Sequence, residues 1–413
     1  MTVIAILLVL VFGYSLVSER LERTVLTAPI VFTAAGILTP LLFPHLFEWR
    51  GDIEVLLQIA EIGLVLLLFT DASRTDLGVL NNIRALPTRL LSTGMLLTIV
   101  LGALAALVIF RHLSIWEAGI LAAILAPTDA GLGQVIVNSP RVPMKIRQAL
   151  NVEAGLNDGL SVPFLLFFIA LGRTGATGTQ TGLAWFMLEQ LGFGTLIGVG
   201  LGLVGGWSIG AATRRKSIAP AFEQLGLVTV PLMCAVASEA VHASMFIAAF
   251  VAGLAVQGGF KEAGKHSVEF AEGWGQLLNL SIFFLFGLMA TRAWSQFTMA
   301  HVLYAVLSLT IVRMLPVALA LMGSGLNRAT VLFMGWFGPR GLASIVLGLV
   351  YLEKETRQPG ESTIRLAVMV TVLMSIFAHG LSALPGMSLY ATTLAKSNLM
   401  QREHTLAGND RPS

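Results

Sequence analysis

Cysteine is almost absent: the one thiol in 413 residues is Cys234, set inside an apolar run. A disulfide framework and a thiolate metal site are therefore both excluded. Charge is scarce as well. Asp, Glu, Lys and Arg make up 12% of the chain, about half the share of roughly 25% usual in a soluble domain. The formal net charge is only +3, and it is spread over loops, which argues against a nucleic-acid partner. The first apolar segment, Met1 to Val17, has no basic stretch of its own and no small-residue cleavage site before Ser18. It reads as a retained helix, not a secretory signal.

What the chain has instead is hydrophobic length. Apolar residues are 55% of it, arranged in repeated runs of about 20 residues, each enough to cross a hydrocarbon core of roughly 30 Å as helix. The pattern predicts an all-α polytopic membrane protein with about thirteen spans. They fall near 1–17, 25–44, 53–70, 88–110, 114–137, 148–171, 183–211, 219–238, 243–258, 273–290, 299–322, 329–351 and 364–388. A membrane domain over 1–390 would then be followed by a short polar tail, 391–413, too small for a nucleotide-binding regulatory domain. Arg20, Arg23, Arg74, Arg84, Arg89, Arg141, Lys145, Arg147, Arg214, Arg215, Lys216, Lys261, Lys265 and Arg328 fall after odd-numbered spans. Lys396, Arg402 and Arg411 lie in the tail. The loops after even-numbered spans carry fewer than half as many: Arg50, Arg111, Arg173, Arg292, Lys354, Arg357 and Arg365. By the positive-inside rule the N-terminus faces out and the C-terminus faces the cytoplasm of a cell (inner) membrane.

Two spans are interrupted. Span 5 contains Ala126-Pro127-Thr128-Asp129 and span 12 contains Gly338-Pro339-Arg340-Gly341. Proline removes a backbone donor and clashes one turn back. At membrane depth such a break is tolerated only against protein or a cavity. The two breaks lie an odd number of spans apart, so their helices run in opposite directions. Two inverted six-helix repeats, spans 1–6 and 8–13 with span 7 as linker, produce that arrangement, and interrupted helices at matching places point to a transport site.

Ionisable residues stand where lipid-facing helices should have none: Glu61 in span 3, Asp129 in span 5, Glu153 and Asp158 in span 6, Arg313 in span 11 and Arg340 in span 12. Each costs on the order of 2.5–3.5 kcal/mol at a helix centre. Asp129 is ten residues above Ser139, and Asp158 ten residues above Gln148. Both counts correspond to about 15 Å of helix, half the core thickness. Both carboxylates therefore reach the midplane on adjacent antiparallel helices. Two carboxylates in a dry site cannot both stay ionised without a counter-charge: they share a proton or hold a cation between them. A site that chooses between H⁺ and a hard cation is an exchange site, and Thr128 would add oxygen ligands at the break. Glu153 is set apart, because Arg313 and Arg340 are buried cations in need of anions. Arg313 is the favoured partner of Glu153, leaving Arg340 to offset the helix ends at the crossing. Glu61 reads as a packing or supporting residue.

The motifs APTDA (126–130), EAGLNDG (153–159) and GPRG (338–341), with ASMFIAAFVAGL (243–254) and FFLFGL (283–288), resemble the cation:proton antiporter superfamily, in particular its monovalent cation:proton antiporter-1 branch of NhaP-type sodium/proton antiporters. The resemblance covers nearly the whole membrane part and implies an NhaA/NhaP-like fold with broken crossing helices. It implies a homodimer with dimerisation and linker helices (roughly 1–44 and 183–258) and a mobile core (roughly 53–171 and 273–388) moving by an elevator-like step. It implies Asp158 as the main carrier of cation and proton, with Asp129 and Thr128 assisting. Asn157 stands where electrogenic relatives carry a further Asp, which implies electroneutral one-for-one exchange. Glu153 and Arg313 resemble the family's buried ion pair, and Arg340 its break-helix arginine. No cofactor is implied beyond the transported Na⁺ or Li⁺, with K⁺ open, and H⁺. One position departs: sodium-exchanging relatives often carry a serine after the glutamate, and here it is Ala154. Ser161, one turn beyond Asp158, or a water would have to replace that ligand.

Two other classes compete. An intramembrane aspartyl protease also uses two membrane Asp residues, but needs Gly-x-Gly-Asp. Here Asp158 follows Gly155-Leu156-Asn157, and Asp129 follows Ala126-Pro127-Thr128. A sodium-coupled organic solute symporter of related fold would need a larger polar pocket than these spans can line.

Overall fold

The computed structural model describes residues 2–21, 24–44, 53–74, 85–174, 185, 188–260, 263–353 and 359–396. Among them there is no strand, and helix occupies every segment where the sequence places a span. The helices are α1 (Thr2–Leu21), α2 (Ala28–Leu42), α3 (Ile53–Arg74), α4 (Met95–Ile109), α5 (Ile115–Ile124), α6 (Ala130–Val137), α7 (Met144–Thr174) and α8 (Gly194–Arg214). Then follow α9 (Pro220–Ala240), α10 (Met245–Gly259), α11 (Ala263–Ala293), α12 (Met299–Leu309), α13 (Ile311–Ala320), α14 (Arg328–Trp336), α15 (Leu342–Glu353) and α16 (Glu361–Lys396). A short helix, Ala85–Arg89, and a π-helical turn, Leu90–Gly94, lead into α4, and a second π-helical turn, Leu188–Phe193, leads into α8. Among the described residues, seven helical stretches are long and apolar enough to cross a membrane unaided. The loop cations Arg23, Arg50, Arg84, Lys261, Lys354 and Arg357, and the tail from residue 397 onward, lie outside the described residues.

Span 5 is split into α5 and α6, and span 12 into α14 and α15. α5 starts on a capping box: Glu117 N donates to Ser114 Oγ at 3.2 Å, and Ser114 N to Glu117 Oε2 at 2.7 Å. The span expected over 299–322 is present as one helical stretch, Met299–Ala320, with a local kink. The kink is at Thr310, whose φ of −109° and ψ of −92° leave the helical region, while Thr310 N still donates to Val306 O at 3.1 Å and Met314 N to Thr310 O at 2.7 Å. The Thr310 hydroxyl donates back to Val306 O at 2.6 Å, and a back-bonded threonine bends a helix.

The helices pack in two groups. α4 to α7 and α12 to α16 contact one another and form a bundle around the two interruptions. α8, α9 and α10 pack together, α10 packs on α3, and α11 packs on α2. Spans 3 and 10, grouped by sequence with the core, thus make their most extensive contacts with α10 and α2. α3 and α10 also touch α7, and α3 touches α15, so this panel forms one wall of the interrupted region.

The tightest of these contacts rests on glycine. Gly194, Gly198, Gly202, Gly206 and Gly210 repeat every fourth residue on α8 and are buried. Small residues at that spacing let helix backbones approach closely in lipid. A Cβ on Gly202 would lie 2.7 Å from Ala252 O, well inside van der Waals contact. Gly202→Val is therefore expected to lower the Tm of the detergent-solubilised protein, at a cost of about 1–3 kcal/mol. Gly200→Val is the control, since nothing lies within 4 Å of a Cβ there. Equal melting of both variants would show that the stripe does not set this contact.

Candidate cation-binding site

The site forms where the two interruptions cross. Asp129 N donates to Pro339 O at 2.8 Å, so one broken strand of backbone hydrogen-bonds directly to the other. At this crossing the C-terminal end of α5 and the N-terminal ends of α6 and α15 converge. A helix end carries about half a unit charge, negative at the C-terminus and positive at the N-terminus. The side chains match those signs. The Arg340 guanidinium donates from Nη1 to Ala126 O at 2.6 Å and Pro127 O at 2.9 Å, beyond the last turn of α5. Asp129 accepts from Leu132 N at 2.9 Å through Oδ1 and from Leu342 N at 2.5 Å through Oδ2. One carboxylate thus caps two helices.

The glycines of GPRG fit the same geometry. A Cβ on Gly341 would overlap the Asp129 carboxylate, and one on Gly338 would overlap the Arg313 guanidinium. Both positions need a residue without a side chain for the two charged groups to stand where they do.

α7 crosses beside the interruptions and brings the remaining residues. Glu153, Asn157, Asp158 and Ser161 are all buried, as are Thr128, Asp129, Arg313 and Arg340. Glu153 Oε1 lies 2.6 Å from Arg313 Nη1, an ion pair between α7 and α13. Asn157 Nδ2 donates to Thr128 Oγ1 at 2.8 Å, joining α7 to the α5–α6 break. The Ser161 hydroxyl donates to the Asp158 main-chain carbonyl at 2.8 Å, so its proton serves the helix. Asp158 differs from Asp129. Its Oδ1 is buried with no hydrogen-bond partner among the described residues, and Asn157 Oδ1 is in the same position. A buried, unpartnered carboxylate oxygen is costly unless protonated or bound to a cation. A buried acceptor of this kind calls for a functional explanation.

A third acid belongs to the region, and the sequence reading passed over it. Asp71, near the end of α3, exerts a Coulombic effect on Asp158, as Asp129 does. Its Cβ would lie 3.5 Å from a Cβ placed on Gly155. The signal in the sequence was Thr70-Asp71 at the end of an apolar run. Glu61 lies ten residues earlier on α3, some 15 Å away along the helix, and is only half-buried.

A narrow cleft leads to the crossing. Gly133, Ile136 and Val137 of α6 line it with Leu150, Asn151 and Ala154 of α7, and it ends on Thr128, Asp129, Phe337 and Pro339. Its lining is mostly apolar. Ala154 is one helical turn before Asp158 and therefore on the same face of α7, so the cleft reaches to within a turn of the free carboxylate oxygen. Among the described residues no group of three or more His, Cys, Asp and Glu is arranged to hold a metal ion. The oxygens gathered here suit a weakly held hard cation.

Known proteins resemble this chain in sequence and fold. Relatives include a K⁺/H⁺ antiporter, NhaP2, of Shewanella sp. (strain MR-4), 24% identical over 375 residues, covering 89% of this chain and 62% of that protein. A probable Na⁺/H⁺ antiporter of Schizosaccharomyces pombe is 26% identical over 257 residues, covering 58% of this chain and 34% of that protein. The chain thus spans about a third to three-fifths of the length of these curated relatives. The solved structure of the sodium proton antiporter MjNhaP1 from Methanocaldococcus jannaschii at pH 8 superposes with a TM-score of 0.69 at 19% identity, covering 92% of this chain and 99% of that one. That likeness establishes a shared fold. Residues 6–387 match the family described as "Sodium/hydrogen exchanger, transmembrane", and a match over nearly the entire chain means that this protein belongs to the sodium/hydrogen exchanger family.

Proposed function

We propose that the protein exchanges a monovalent cation, Na⁺ or Li⁺ with K⁺ open, for H⁺ across a cell (inner) membrane, and that cation and proton compete for Asp158. The observation that carries this reading is the contrast between the two buried acids. Both Asp129 oxygens accept backbone N–H bonds, while Asp158 Oδ1 has no partner among the described residues. Asp129 assists by holding the break open and adding negative charge. Thr128 and Asn157 offer neutral oxygens. With Asn157 beside Asp158, one carboxylate serves one cation or one proton, and the exchange carries no net charge. Ser161 or a water supplies the oxygen that Ala154 does not. The Na⁺/H⁺ and K⁺/H⁺ activities named for the relatives are those this site would share, and the missing hydroxyl at Ala154 keeps both ions in view.

The bundle of α4–α7 and α12–α16 is the unit that would move, sliding against the panel that includes α3 and α10. Each half of a cycle would expose Asp158 to one side, with the site neutralised by its cargo. A bare carboxylate would face a cost of several kcal/mol in crossing the apolar zone. The cleft along α6 and α7 then faces the cytoplasm, since Arg141 of the loop at its mouth and Lys145 at the start of α7 are both cationic. A second copy of the chain would sit against the panel. α1 supports that placement: Ile4, Leu8, Phe12 and Leu16 are exposed at four-residue spacing.

Proteoliposomes carrying an imposed pH gradient test the proposal. Addition of a transported cation is expected to collapse the gradient, equally with or without a clamped membrane potential. Acidification on the cation side is expected to inhibit by competition. Once the site is protonated, each unit of pH raises the half-maximal cation concentration by about tenfold and leaves the maximal rate unchanged. A wild-type protein that is folded yet leaves the gradient intact with Na⁺, Li⁺ and K⁺ would overturn the reading in favour of a symporter.

A further inference from the structure

His379 lies on α16, far from both ends of the chain's apolar spans and outside the residues discussed so far. It is buried in a row of polar side chains, Ser375, His379 and Ser382, that faces the end of α14. Its Nε2 lies 2.9 Å from Trp336 O, the carbonyl of the last residue of α14. A carbonyl only accepts, so this contact is a hydrogen bond when Nε2 carries the ring hydrogen. On the other side of the ring, Nδ1 lies 3.1 Å from Ser375 Oγ. That hydroxyl accepts from Arg340 N at 2.6 Å, which frees its own proton for Nδ1. Nδ1 also lies 3.0 Å from Ser375 O, so a carbonyl faces each ring nitrogen. With the hydrogen on Nε2 the bonds run in one direction, Arg340 N–H to Ser375 Oγ–H to His379 Nδ1, then His379 Nε2–H to Trp336 O, and that tautomer is assigned from the network rather than observed. The Trp336 ring packs on the imidazole with centroids 5.1 Å apart, and its Nε1 donates to Ser382 Oγ at 3.0 Å.

This arrangement brackets the second interruption. Trp336 is the residue before it begins, and Arg340 lies within it. Pro339 O, between them, accepts from Asp129 N, and the Arg340 side chain holds the end of α5. The two broken helices are thus treated differently. The end of α5 is capped by a permanent cation. The end of α14 is met by an imidazole that also reaches, through Ser375, the backbone of that cation.

We propose that His379, acting through Ser375, is a positioning residue. It holds the α14–α15 interruption where Arg340 and Pro339 engage the α5–α6 break, and so sets the affinity of the cation site without touching the cation. The transport readout rests on the antiporter reading above. The geometric readout does not.

Three full-length variants, His379→Gln, His379→Asn and His379→Phe, separate the possibilities. Gln keeps a donor at the reach of Nε2, Asn loses it in a small side chain, and Phe loses it while filling the volume. In gradient-collapse assays with Na⁺, Li⁺ and K⁺, Asn and Phe are expected to raise the half-maximal cation concentration on the order of tenfold, the effect of one buried carbonyl left unpaired. The maximal rate should stay within about twofold, and Gln should recover most of the affinity. Unchanged half-maximal concentrations in Asn and Phe, a fall in maximal rate alone, or equal damage by Gln would each overturn the proposal. Hydrogen exchange of the Phe337, Gly338, Arg340 and Gly341 amides in detergent decides the same point without transport. Protection is expected to fall in Asn and Phe and persist in Gln, and undiminished protection in Asn and Phe would refute the positioning role. A silent wild type in vesicles would count against the antiporter reading alone, leaving hydrogen exchange to judge His379.

Discussion

Asp158→Asn protein, folded and reconstituted, is expected to leave an imposed pH gradient intact when Na⁺, Li⁺ or K⁺ is added. The amide is nearly isosteric, so packing along α7 survives, but it can neither carry a proton nor balance a cation. At about 4 Å and an effective dielectric near 20, one carboxylate attracts a monovalent cation by about 4 kcal/mol. Losing it weakens binding roughly a thousandfold. Asp129 cannot compensate, because both of its oxygens are committed to Leu132 N and Leu342 N. Vesicle flux with each cation, alongside size-exclusion and melting profiles, checks the prediction. Exchange persisting at near wild-type rates would remove Asp158 from the centre of the account.

Breaking the Glu153–Arg313 pair on one side should be nearly as damaging, by a different route. Both groups are buried, 2.6 Å apart, and removing one partner strands the other charge in a dry interior. Such losses typically cost about 3–5 kcal/mol, whereas replacing both members by apolar residues is often neutral. Arg313→Met is therefore expected to unfold readily in a thermal melt, and Glu153→Leu together with Arg313→Met to recover most of that stability. The double variant carries a second readout. The Arg313 guanidinium also lies against Gly338 in the α14–α15 interruption, so transport should recover less completely than stability. Full recovery of both would reduce the arginine to half of an ion pair. No loss in the single variant would show that the pair does not hold α7 to α13.

Much of this was legible in the sequence, for a physical reason. Charge in lipid is costly, so Asp129, Glu153, Asp158, Arg313 and Arg340 could stand in apolar runs only if each had a purpose. Their depth followed from counting residues at the helical rise. Proline alone was a poorer guide. Pro40, Pro163, Pro231, Pro316 and Pro385 all lie inside continuous helices. Pro127 and Pro339 mark true interruptions, each beside a charged side chain able to cap the freed backbone. The kink at Thr310 has no such mark, since Thr39, Thr98 and Thr371 make the same back-bond within helices that run on undisturbed. Asp71 escaped notice because it ends a span, where an acid is ordinary, and only the packing of α3 on α7 brings it toward Asp158. His379 was hidden likewise. A lone histidine in an apolar run says nothing until the fold shows which carbonyl it reaches. The five-glycine stripe of α8 was readable as a close contact, but its partner, α10, was not.

The most direct measurement of the central claim counts protons. Calorimetric titration of the detergent-solubilised protein with Na⁺, Li⁺ and K⁺, in two buffers of different ionisation enthalpy, gives the protons released per cation bound. With the pH set so that the site is protonated, the account predicts one proton released per cation from the wild type, and no cation binding or proton release from Asp158→Asn. Cation binding without proton release, or release that survives in Asp158→Asn, would contradict competition at this carboxylate.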